Sequence, residues 1–286
     1  MKIFRSILFV LLAFSSLTTI SHAQPADSVD LRLHLKKGDM YSLTCSTKTE
    51  STTEIGGAPE TFFQTMTTEY AVSVDEVRES GVTILTLKLL SATMSIKSKS
   101  MELRIDSRDP KKSYGSKKTA RDVANDSYNE TKKLIGLAFW VKLNERAEVI
   151  STNVDTVFDQ KGDMNQSIAG NAKEALQMAS FAGYPVKIGD TWKGIVYSNK
   201  EGKAISEASQ YTLQSLRKGI AKITSDSKGW GDVTDANLSA TFSGEHSVDI
   251  ASGLATEAHY KMEMEAKKDV APFKSKSDIA IKIKKK

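Results

Sequence analysis

The sequence predicts an α+β protein that is mostly antiparallel β, a curved sheet or sheets with two helical segments packed against them. Three observations carry this expectation. Apolar residues recur with period two through most of the chain, two stretches switch to helical spacing, and glycine-centred turns separate the alternating runs at hairpin intervals. Period two places successive side chains on opposite faces of a strand, so one face of each run is apolar and the other polar.

The chain opens with an expected export signal at residues 1–23. Lys2 and Arg5 form a basic start, Ile7 to Phe14 is unbroken apolar sequence, and Ser21-His22-Ala23 sets small residues before Gln24. Ser15, Ser16, Thr18 and Thr19 interrupt the apolar run well short of the length that spans a bilayer core of about 30 Å, which favours cleavage over retention. Removal takes away two bases and no acid, so the formal charge falls from +5 to +3. Cys45 is the single cysteine, so no internal disulfide can form and the fold stands on packing. With no cysteine behind the signal to carry lipid, the released protein is expected to be soluble, periplasmic or extracellular.

Val29, Leu31, Leu33 and Leu35 alternate with Asp30, Arg32 and His34 and predict the first strand. Tyr70, Val72 and Val74 lead to a turn at Glu79-Ser80-Gly81, and Val82, Ile84, Leu85, Leu87 and Leu89 return. Met101, Leu103 and Ile105 end at Asp109-Pro110. Helical spacing then takes over at Ala124, Tyr128, Thr131, Ile135 and Ala138, within residues 118–138. Phe139 to Ser151 reads as a hairpin about Asn144-Glu145-Arg146. A second helix is expected over Ile168, Ala172, Ala175, Leu176 and Ala179, stopped by Gly183-Tyr184-Pro185. Ile55-Gly56-Gly57-Ala58-Pro59 and Asp226 to Asp232 are the segments richest in turn residues. Tyr260, Met262 and Met264, then Ile279, Ile281 and Ile283, supply the last strands. The expected organisation is a signal (1–23), an N-terminal β-rich half holding the helices (24–183) and a C-terminal β-rich half (184–286).

A faint repeat bears on that division. Lys37-Gly38-Asp39-Met40-Tyr41 is echoed by Ile188-Gly189-Asp190-Thr191-Trp192, and Tyr70 to Gly81 by Tyr211 to Gly219. Two related halves and coincidence both account for it, since Gly-Asp turns are common in β proteins.

Few residues point to chemistry. His34 and His259 fall on polar strand faces and His246 in an expected turn, Gly244-Glu245-His246-Ser247, so all three read as surface histidines rather than metal ligands. No Gly-x-Ser-x-Gly elbow, phosphate-cradling glycine loop or basic-aromatic cluster occurs, and no cofactor or nucleic acid is expected. Asp226, Asp232 and Asp235 miss the register of a calcium loop and read as turn residues. Asn125, Asn129, Asn165 and Asn237 head glycosylation-type triplets that matter only in a eukaryotic secretory pathway. The closing run Ile281-Lys282-Ile283-Lys284-Lys285-Lys286 reads as a solvated basic tail, with weak attraction to an anionic membrane surface as the alternative.

The order of the signal, the Leu-rich first strand, Lys37-Gly38-Asp39-x-Tyr41 and Tyr184-Pro185-Val186-Lys187-Ile188-Gly189-Asp190-Thr191-Trp192 resembles a family of exported Bacteroidetes-type proteins known only as a domain of unknown function. The resemblance covers most of the mature chain and implies an address and a fold; it brings no catalytic residues. More remotely, a sheet wrapping helices is similar to periplasmic half-barrel carriers of lipoproteins and lipids, an analogy of fold alone.

Together these features favour a non-enzymatic envelope binding module or carrier for an apolar or amphipathic ligand such as a lipid. Its expected lining is Phe62, Phe63, Trp140, Phe181, Trp192 and Met262, for which ordinary core packing is the favoured alternative. An envelope scaffold is the second reading, and an enzyme with a dispersed site the third.

Overall fold

A computed structural model of the chain describes residues 28–158, 168–172, 179–200, 203–233, 236–267 and 273–286. The expected signal at 1–23 lies outside them. The elements run β1 (Ser28–Val29), β2 (Met40–Ile55), β3 (Ala58–Val77), β4 (Thr83–Lys97), β5 (Glu102–Asp106), β6 (Tyr114–Gly115), α1 (Lys118–Leu134), β7 (Ala138–Leu143), β8 (Val149–Thr152) and α2 (Val154–Phe158). After a helical turn at 168–172 come β9 (Val186–Lys187), β10 (Thr191–Lys200), β11 (Lys203–Arg217), β12 (Ile220–Val233), β13 (Ala236–Asp249), β14 (Leu254–Lys267) and β15 (Phe273–Lys285).

Among the described residues thirteen strands form one open antiparallel sheet, eleven of them in the order β10-β11-β12-β13-β14-β15-β2-β3-β4-β5-β6 and β7 and β8 branching from β4. The edge of β4 is shared. Its first half pairs with β7, which carries β8, and its second half pairs with β5. The protein is therefore mostly β with few helices, where the sequence predicted an α+β mixture. Of the two expected helices, α1 forms and packs on β5 and β6. The second is helical at 168–172, its residues 173–178 lie outside the described set, and 179–182 are not helical.

The sheet curls back on itself. Nine pairings separate β10 from β7, about 43 Å if the sheet lay flat at roughly 4.8 Å per pairing. Yet Arg146, in the turn between β7 and β8, donates from its guanidinium to the carbonyl of Lys193 in β10 at 2.9 Å, and to that of Phe181 at 2.6 Å. Ser180 adds a hydroxyl bond to Glu148 at 2.7 Å, and the Trp192 indole donates to Ser180 O at 2.7 Å. The hairpin hung on β4 thus fastens the far edge of the same sheet.

Leu31, Leu33 and Leu35 are buried as their alternation requires, but the segment joins no ladder of the main sheet. Its amides go to other loops: Leu33 N–H to Glu145 O at 2.8 Å and His34 N–H to Ser252 O at 2.7 Å. Only Ser28 and Val29 are strand, paired with Lys187 and Val186. Period two reports an extended, half-buried chain, and such a chain needs no neighbouring strand if loop carbonyls accept its amides. The three leucines join the buried core, and Leu35 closes it against Leu43, Val72, Leu87 and Ile283. The void left among these side chains is only ≈ 10 Å³, too small for more than one water.

Two further expectations are revised. Asp226 to Asp232 is strand, not loop: Gly229 and Gly231 are paired across to Ala240 and Leu238. The basic C-terminus is not a free tail. Lys282 to Lys285 lie in β15 and pair with β2, Lys282 with β14 as well; Lys285 reaches Asp39 at 2.8 Å and Lys286 N–H reaches Met40 O at 3.0 Å.

The repeated Gly-Asp turns share one construction. Gly38 (φ 89°) and Gly189 (φ 92°) take the left-handed conformation that favours glycine. Asp39 N–H bonds Lys36 O and Asp190 N–H bonds Lys187 O, each at 3.0 Å. Each aspartate carboxylate accepts the amide three residues back, from Lys36 and Lys187. Each turn then feeds a strand, β2 or β10, through reciprocal bonds to Val74 or Leu213.

Candidate ligand-binding face

Strand alternation and register define rows across the inner face of the sheet. One row is Leu213, Ile223, His246, Ala258, Ile281, Cys45, Thr68 and Ala92, from β11 to β4, and every member is buried. The next, toward the β2–β3 hairpin tip, is Tyr211, Ser225, Gly244, Tyr260, Ile279, Thr47, Met66, Met94 and Ile105.

Above that row the face opens. Ser227, Phe242, Met262, Ser277, Thr49, Gln64 and Ile96 form the third row, and Ala240, Met264, Ser275, Ser51 and Phe62 the fourth. Met262, Met264, Phe62, Gln64 and Ile96 are half-buried and Phe242 keeps 36 % of its surface, while the small Ser275 and Ser277 between them stay buried. Methionine and phenylalanine in such a position offer a polarizable, adaptable apolar surface.

The outer face of the same strands is ionised. Glu257, Glu263 and Glu265 of β14 stand directly opposite Lys282, Lys276 and Lys274 of β15, with ion-pair distances of 3.4, 2.9 and 3.2 Å. Exposed pairs contribute little stability each, about 0–1 kcal/mol, but they fix that face in water. Lys48 and Glu50 continue the pattern on β2, while Thr49 between them faces inward.

The buried rows carry a polar belt. His246 is 1 % exposed, not a surface turn residue: it lies in β13, on the same face as Val248. Ser225 Oγ is 3.0 Å from its Nε2 and Tyr260 Oη 3.4 Å from its Nδ1. The rings of Tyr211 and Tyr260 lie 5.9 and 5.1 Å from it, and Trp192 stacks on Tyr211. Burial pushes the imidazole down to about 4, so it is neutral at pH 7. Gly244 makes room for this box: a Cβ there would stand 2.6 Å from Ser225 Oγ and 2.8 Å from the Tyr260 ring. Farther along, Asn171 of the 168–172 turn bridges Thr47 and Thr68, fixing that turn on β2 and β3.

The expected lining residues separate into three places. Phe62 and Met262 lie on the open part of the inner face. Phe181 and Trp192 are sealed, 1 % and 5 % exposed, beside the Arg146 fastening. Phe63 is 53 % exposed on the outer face, and Trp140 lies opposite the buried Phe139 and Val141, with Lys142 Nζ 5.3 Å from its ring. Phe242 and Met264 were not anticipated; Met264 was legible as the next inward residue after Met262, whereas Phe242 sits in a run without clear alternation. Among the described residues no group of three or more His, Cys, Asp or Glu side chains is placed to hold a metal.

No family model matches the chain, and no curated protein matches it. Solved structures with some likeness include an outer membrane channel from Pseudomonas putida F1 (7 % identity, 91 % of this chain and 100 % of that one, TM-score 0.31). The translocator domain of the autotransporter NalP from Neisseria meningitidis shows 10 % identity over 87 % of this chain and 89 % of its own, with TM-score 0.25. DynF from the dynemicin pathway of Micromonospora chersina shows 9 % identity over 90 % and 84 %, with TM-score 0.24. Similarities this low carry no argument about function, which rests on the chain's own geometry.

Proposed function

We propose that this chain is an exported, water-soluble binding module that seats an apolar or amphipathic ligand on the open part of its inner face. One observation carries the reading: the inner face changes from sealed core to half-exposed Phe62, Phe242, Met262 and Met264 while the same strands keep an ionised outer face. The lower core, with its ≈ 10 Å³ void, offers nothing near the roughly 300 Å³ a small-molecule site needs, so a ligand belongs above it. The outer face argues against a lipid-facing barrel. A lysine on a lipid-facing strand costs about 2–4 kcal/mol at mid-membrane, and β14 and β15 alternate Lys and Glu along much of their length.

Titration with the fluorescent probe 1-N-phenylnaphthylamine tests the reading. Saturable binding that weakens at least tenfold in Met262→Lys is expected. Absence of saturable binding in the folded parent protein would overturn it.

A further inference from the structure

We infer that the ligand of this face is an amphiphile with an uncharged, hydrogen-bonding head, and that the face rejects ionised heads of either sign. The inference rests on the binding reading above and narrows its ligand class. Along the third and fourth rows, from β12 to β4, every side chain is uncharged. Polar positions there are hydroxyls and an amide: Thr49 Oγ1 lies 2.9 Å from Ser277 Oγ, and Gln64 points its amide at Met94 Sδ, 3.7 Å away. A weak thioether acceptor leaves that amide able to exchange partners at little cost. Below them, Ser225 and neutral His246 continue the same chemistry.

The lysines and glutamates flanking the third and fourth rows belong to the opposite face, where the strand pleat holds them; Glu60, of inward parity beyond Phe62 toward the β2–β3 hairpin, accepts a bond from Ser100 Oγ at 2.7 Å. An ionised head seated at Thr49 and Gln64, above buried Ser277, would lose water and gain no counter-charge. Desolvation without a partner is the costly case for a charge, whereas an ester, alcohol or glyceryl head exchanges water for hydroxyl and amide partners. Tails, meanwhile, find the same Met262 and Phe242 surface whatever their head.

Three probes with one dodecyl-length tail separate the terms: 1-monododecanoylglycerol, dodecanoate and dodecyltrimethylammonium, each displacing 1-N-phenylnaphthylamine at pH 7.5. The glyceride is expected to bind at least tenfold tighter than either ion. Gln64→Lys should reverse the order of glyceride and dodecanoate, and Thr49→Lys repeats the test at the neighbouring strand if the first variant does not fold by circular dichroism. Equal affinity of the three probes, or a glyceride-to-dodecanoate ratio unmoved by the added lysine, overturns the inference while the binding reading stands. Failure of the dye itself to bind removes both.

Discussion

His246 should make the protein's stability depend on pH in a window where most proteins of this composition change little. Its imidazole is 1 % exposed, and burial lowers it from 6.5 to about 4. Between those values the unfolded chain binds a proton that the folded chain refuses. The stabilising difference is fully present above about pH 6.5 and is lost as pH falls toward 4, with a slope approaching 1.4 kcal/mol per pH unit. Over the window this amounts to about 3 kcal/mol. Carboxylates whose folded affinity for protons is lowered, such as Asp39 held by Lys285 and Glu76 held by Arg78, lose their contribution on acidification too. The comparison that isolates His246 is therefore urea unfolding of the parent and of His246→Gln at pH 7.5, 6, 5 and 4.5. The parent should lose at least 2 kcal/mol more than the variant across that series. Parallel curves, or an imidazole resonance of His246 that titrates near 6.5 in the folded protein, would refute the reasoning.

Four further outcomes follow from named contacts. Among the described residues Tyr70 Oη is buried beside Thr68 with no hydrogen bond of good geometry, so Tyr70→Phe should leave stability unchanged or raise it by about 1 kcal/mol in urea unfolding. Ala147 holds φ 59° beside Arg146; Ala147→Gly relieves that strain and should raise stability by about 0.5–1 kcal/mol, read as a higher melting temperature. Arg146→Ala removes the contacts that join the β7–β8 turn to the carbonyls of Phe181 and of Lys193 in β10, and should cost about 2 kcal/mol and accelerate amide exchange in β10 ahead of β2 and β3. Deleting Lys282 to Lys286 removes buried Ile283 and the end of β15, so it should cost about 3 kcal/mol or more in thermal unfolding, rather than acting as the loss of a loose tail.

Much of the β architecture was legible because side-chain alternation is local. Leu85, Leu87 and Leu89, or Ile279, Ile281 and Ile283, announce their buried face without knowledge of any partner. Partners are another matter. The 29–35 segment alternates as cleanly as any strand yet finds loop carbonyls, and the C-terminal lysines look like a tail because nothing local reveals that β2, more than 200 residues earlier in the chain, pairs with them. His246 was misread for a related reason. Gly244 suggests a turn, and only Ser225 and the ring of Tyr260, from different strands, show that the glycine is there to make room. Of the expected lining, Met262 follows from strand parity, whereas Phe62 and Phe63 are told apart by the register of β3 against β2, which fixes Phe62 as the one facing inward.

Methyl resonances of the methionines report directly on where a ligand sits. In protein labelled at the methionine methyl carbons, 1-monododecanoylglycerol should shift Met262 and Met264 strongly, and leave Met40, on the exposed side at the start of β2, unmoved. Shifts confined to Met40, or none at saturating glyceride, would contradict a ligand seat on the open inner face.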